Sequence, residues 1–188
     1  MSSESQSPWI NFVCRRGSHD DQVFRDCALQ CEALGLIPAL SRHPVQSVEI
    51  VADLADRFGE RIDGLYDRTQ KTIRLNSNPD YGRNWQAGLF FAAPWAAQSR
   101  GEAIRAAFFH ELGHHLTSQF HPLRRIISRA FETHSTNCMT IYGRVNESEY
   151  DCECLSLYAI NPEILRGGDS GGFILIERTL SILRSWKP

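Results

Sequence analysis

The residues 108–116 read FFHELGHHL, placing His110, Glu111 and His114 within one short run. On an α-helix each residue turns about 100°, so His110 and His114 lie about 40° apart on one face, one turn apart. Two imidazoles so placed can reach a single tetrahedral ion. Glu111 points about 100° away from His110, beside that ion without having to bind it. A bound ion acidifies its water, and Glu111 can take the proton and pass it to a leaving amine. The pattern His110-Glu111-Leu112-Gly113-His114 is the HExxH signature of zinc hydrolases. Ile104, Phe108, Leu112 and Leu116 form a separate apolar stripe, while small Ala103, Ala106 and Ala107 flank the histidines and leave room for an ion. His115 lies about 100° round from His114, which makes it a packing or orienting residue.

Two histidines need at least one further protein ligand, with a position left for water. A metzincin-type third histidine is absent, since Thr117 and Phe120 occupy the positions that pattern needs and His121 is one residue off. A carboxylate from a later helix is the other solution. Glu132 has nothing around it to support the role. In ESEYDCECLSLYAINP, Glu149 and Glu153 are four apart and so stack on one helix face. One could bind the ion while the other orients a ligand imidazole. Equally, Glu149 could serve only a capping box begun by Asn146, and spacing alone leaves Glu147 and Asp151 open as substitutes. GDSGG within residues 167–172 looks like a serine-protease motif but lacks the β-rich scaffold and partners, and reads as a glycine-rich turn. Glu153-Cys154-Leu155-Ser156 looks like the cysteine-ligand motif of peptide deformylases, but it follows HExxH where that motif precedes it.

The elements that must position these side chains are mostly helical. Ser18 and Asp21 cap a helix carrying Val23, Phe24, Cys27 and Cys31 that stops at Gly35. Val48, Val51, Leu54, Ala55 and Phe58 sit at helical spacing and predict a second helix after Pro44. GLYDRTQKTIRLN predicts a hairpin, with strands at Leu65-Tyr66 and at residues 72–75. Residues 77–98 form a long irregular stretch, either a functional loop or lid or an insertion packing its aromatics. Ser99 and Glu102 make a capping box for the motif helix, which His121-Pro122 ends. Further helices are expected around residues 123–131, 147–160 and 173–186. The fold class is therefore α+β, mostly helical with a small β-sheet beside the HExxH helix. One domain over residues 9–188 follows a loose, disordered tail at residues 1–8.

At 188 residues with 42% apolar and 22% charged side chains, the chain can build one real core. A net charge of −2 gives no pull toward nucleic acid or membrane. No apolar run approaches the roughly 20 residues that span a bilayer. The polar start lacks a secretory signal's apolar core, which places the protein in the cytoplasm with its six cysteines reduced.

With these residues in view, the chain resembles the ImmA/IrrE family of metallopeptidases over about residues 45–162. The resemblance rests on VEIVADLADRFG taken as a helix, on GLYDRTQKTIRLN, on HELGH, and on EYDCECLSLYAINP as the family's glutamate helix. It implies a zincin-like metallopeptidase domain in which His110, His114 and Glu149 hold zinc. Glu111 is then catalytic, and Glu153 supports a ligand histidine. Manganese or iron suits the same ligands. It further implies an intracellular endopeptidase acting on a protein or peptide, including a transcriptional repressor controlling stress or mobile-element genes. Cys152 stands where the family has a small alanine, and Ala-Ile-Asn-Pro replaces its Leu-Leu-Met-Pro. The strand at residues 72–75 is expected to take substrate as an added strand, or merely to pack the sheet. Tyr66, Tyr81, Tyr142 and His134 are candidate stabilisers of the developing oxyanion. The alternatives are a metal-stabilised binding module without catalysis and a zinc hydrolase of a non-peptide substrate.

Overall fold

Residues 5–7, 9–14, 18–59, 61–79 and 97–185 are described by the computed structural model. The strands are β1 (Ser5–Ser7), β2 (Ile10–Val13), β3 (Val45–Val51), β4 (Gly64–Asp67) and β5 (Thr72–Asn76). They form one sheet in the order β1-β2-β3-β5-β4. β3 runs parallel to both β2 and β5, whereas β1 and β4 pair antiparallel at the two edges. Seven α-helices complete the described fold: α1 (His19–Ala33), α2 (Ile37–Arg42), α3 (Arg100–Gln119), α4 (His121–His134), α5 (Glu147–Ile160), α6 (Pro162–Gly168) and α7 (Ser170–Ser185). The chain is thus α+β with a small mixed sheet, as its patterning predicts.

The segment after Pro44 is the clearest correction. It is strand β3 and not a helix. Val45 and Val48 are both buried although three residues apart, a spacing that would put them on opposite faces of a regular strand. An extra residue resolves this: Val45 pairs with Ile10 and Val48 with Phe12, so the register slips by one between them. Such a bulge turns a three-residue apolar interval into one sheet face, and that interval imitates a helix. The β-branched run itself favours the strand. The loose tail is corrected in part, because Ser5–Ser7 pairs with β2.

Capping governs the helices much as their sequences imply. The Ser18 hydroxyl accepts from the Asp21 amide at the start of α1, and the Ser99 hydroxyl from the Glu102 amide at the start of α3. Glu102 reaches back one residue further than a standard box, accepting from the Gln98 amide. The glycine-rich stretch before the last helix is structured: Asp169 accepts from the Gly172 amide, and α7 begins at Ser170. α3 is the central element, packing against α5, α1, β4 and β5. Phe108 on α3 meets Phe12, which stacks on Phe24 of α1, with Cys27 and Cys31 fully buried in the same apolar core. The long stretch read as a loop or lid lies largely outside the described residues, as does Tyr81 within it. No described helix is long and apolar enough to cross a membrane.

Candidate metal centre

α3 carries His110, Glu111 and His114, and α5 crosses it closely because Gly113 lacks a side chain. A Cβ there would fall 2.8 Å from Cys152 Sγ and 3.1 Å from Cys152 Cα. That approach brings the carboxylates of α5 to the histidines. Glu149 Oε2 lies 3.1 Å from His110 Nε2 and 3.5 Å from His114 Nε2. The Asn146 side chain accepts from the Glu149 backbone amide, so the capping role exists. It uses only the backbone of Glu149, and the carboxylate faces the imidazoles.

The far sides of the two rings are held as well. His110 Nδ1 is 2.9 Å from Glu153 Oε1, and the other oxygen of this fully buried carboxylate accepts from Thr140. His114 Nδ1 meets the Ser148 hydroxyl at 3.0 Å. Both rings therefore present Nε2 inward. Burial works against charge on His110, but Glu149 and Glu153 outweigh it and raise the imidazole above its ordinary range. Burial likewise opposes charge on Glu149, and bonds from His110 and His114 reverse this, bringing it down to about 2. Tyr142 hydrogen-bonds Glu149, lies near the His110 ring, and keeps its phenolic proton because burial raises it.

Glu111 faces β4. A Cβ on Gly64 would fall 2.6 Å from Glu111 Oε1, so only glycine lets the carboxylate lie flush against this strand. The Tyr66 backbone amide donates to Glu111. Burial raises the Glu111 carboxyl above its usual range, partly offset by His110 and His114. His115 is fully buried and ties the strand to the helix: Nε2 is 2.8 Å from the His43 carbonyl, and Nδ1 is 2.9 Å from the Tyr66 hydroxyl. A carbonyl only accepts, so Nε2 carries the proton and Nδ1 accepts from Tyr66. Burial lowers His115 to about 4, and the ring stays neutral.

These groups open on a cleft of about 680 Å³, also lined by Tyr66, Arg68, Arg124, Tyr142 and Glu147. An ion with bonds of roughly 2.0–2.1 Å in a tetrahedral array separates its donors by about 3.3 Å. The two nitrogen–oxygen distances bracket that value, so these residues fit a metal ion. Cys152 widens the donor set, since His110, His114 and Cys152 offer ligand atoms all within 4.8 Å of one another. This group can bind a metal ion. The two sets differ in aim: Glu149 faces both Nε2 atoms, whereas the Cys152 thiol is packed on Gly113, and burial raises it well above its ordinary range.

Known family models, curated proteins and solved structures give no match to the chain. The site therefore speaks through its own geometry.

All five residues singled out from the sequence (His110, Glu111, His114, Glu149, Glu153) meet at this one place. The substitutes are turned to other partners. Asp151 accepts from Thr117, burial raising it to about 6, and Glu147 lines the cleft while accepting from Ser128. His134 lies against Gly171 at the start of α7. Tyr66 is engaged with His115 and Ser118. Sequence reasoning missed Gly64, Thr140 and Ser148, while His115 has the packing and orienting role expected of it. Only Gly64 carried any local signal, as a glycine opening a strand. β5 is corrected as the substrate strand: it is paired on both sides, and the edge belongs to β4.

Proposed function

We propose that the protein is a zinc-dependent endopeptidase of the ImmA/IrrE kind, with a zincin-like active site. The observation that carries this is the convergence of two Nε2 atoms and one carboxylate beside a buried Glu111, in a cleft bordered by an edge strand. His110, His114 and Glu149 would hold the ion, and Glu153 would fix the His110 tautomer and orientation. When bound, the ion lowers the pKa of a water and polarises the substrate carbonyl. Glu111, whose carboxyl burial raises above its usual range, would take up a proton at its carboxylate and deliver it to the departing amide nitrogen. Tyr142, which lines the cleft beside His110 and Glu149, is the candidate hydroxyl to donate to the carbonyl oxygen in place of its bond to Glu149. An extended peptide would align on β4 through backbone hydrogen bonds. A regulatory protein inside the cell, such as a repressor, is the substrate class the resemblance suggests.

A metal-stabilised binding module is the second reading, favoured by Cys152: four protein donors would close the coordination shell as structural zinc sites do. One experiment separates them. Metal content and cleavage of a denatured protein mixture would be measured for the native chain, Glu111→Gln and Glu149→Ala. Glu111→Gln should keep the ion and lose cleavage by roughly 10²–10⁴-fold. Glu149→Ala should lose much of the ion. Cleavage undiminished in Glu111→Gln would sink the peptidase reading.

A further inference from the structure

The cleft is electrically polarised along β4. Gly64 lies against Glu111, and the Tyr66 hydroxyl reaches His115 and Ser118 further down α3. β4 therefore runs beside α3 in the same direction, and Arg68 follows it toward the C-terminal end of the helix. Arg124 stands in the first turn of α4, just beyond that end, and lines the same cleft. Gly64 and Tyr66 share one face of β4 by the strand period of two, and Arg68, in the turn just after the strand, lines the same cleft. At the other end, Ile62 precedes Gly64 and borders the cleft with Asp56. Arg68 and Arg124 are both exposed, and neither makes an ion pair among the described residues. Two cations without a described ion pair thus border a cleft whose other charged lining residues, Asp56, Glu111, Glu147 and Glu149, are acidic.

A strand advances about 3.3 Å per residue, so Gly64 and Asp67 are roughly 10 Å apart along β4, with Arg68 following in the turn. A peptide paired with β4 advances at the same rate. Antiparallel pairing is the more stable arrangement, and it makes the peptide residue near Arg68 precede the one opposite Gly64. Guanidinium groups match carboxylates in a two-pronged hydrogen bond. We propose that Arg68 and Arg124 select an extended peptide bearing Asp or Glu roughly two to four residues N-terminal to the bond held beside Glu111. This rests on the peptidase reading for the bond, but not for the binding.

The test has two readouts. Binding of short fluorescein-labelled peptides to ion-loaded Glu111→Gln protein would be followed by anisotropy, comparing acidic peptides with their Asn/Gln counterparts. Acidic peptides should bind on the order of tenfold tighter, less so at high salt. The preference should invert toward Lys/Arg in the added Arg68→Glu/Arg124→Glu background. Cut sites of the native enzyme on a peptide library should carry the acid on the N-terminal side. Equal binding of acid and amide peptides, an acid preference surviving charge reversal, or acids enriched only C-terminal to the cut would overturn the proposal. If the native protein cleaves nothing while the charge-dependent binding persists, the peptidase reading fails and acidic recognition stands.

Discussion

Which side chain completes the donor set is decided by direction more than by proximity. Glu149 and Cys152 both lie near the histidines; the carboxylate meets both Nε2 atoms, whereas the thiol is packed on Gly113. Cys152→Ala should therefore leave metal content nearly unchanged, while Glu149→Gln should lose it on dialysis; the reverse outcome, read by elemental analysis, would make this a cysteine-ligated site. Glu153→Gln should keep the first contacts yet weaken metal affinity by about 10–100-fold, as loss of a partner behind a ligand histidine does. Gly64→Ala acts on Glu111, since the added methyl would displace its carboxylate. The expected result is an ion-loaded, folded protein with sharply reduced kcat, and normal turnover would contradict the contact.

Elements carry the next layer of the argument, and two junctions matter most. α3 meets α5 across Gly113, where even one methyl group would press on the Cys152 backbone. Gly113→Ala should cost about 1–3 kcal/mol, as overpacking a fitted interface does, and should also weaken metal binding by moving Glu149 off His110. α3 meets β4 through His115, whose two nitrogens are both used. His115→Leu would leave the Tyr66 hydroxyl and the His43 carbonyl without this partner, costing about 1–3 kcal/mol per orphaned group. Thermal unfolding would check both variants, and a Tm within a degree of the native value would contradict the assignment. Motif and cap signals for α3 and α5 were readable because capping and the i, i+4 repeat act within one turn. β3 was not, because its bulge is set by β2, far away in the chain.

Across the whole molecule, the core is continuous through the sheet, α1, α3, α5 and α7 without relying on an ion. Chelation should therefore leave the far-UV circular dichroism intact while lowering Tm. A ligand at a hundredfold its Kd contributes about 2.7 kcal/mol, equivalent to roughly 5–10 °C for a chain of this size. Collapse of the helical signal on chelation would instead mark the ion as a folding element.

What the sequence determined by itself is local: two histidines and a glutamate on one helix, the helix starts, the hairpin, and a second helix with stacked glutamates. Each of these depends on neighbours within a few residues, so type and spacing suffice. Tertiary structure alone decided which carboxylate faces the imidazoles, which described strands lie at the sheet edges, and that Gly64 and Gly113 must be bare. Those outcomes depend on how closely two backbones approach from distant parts of the chain, and no periodicity records that distance.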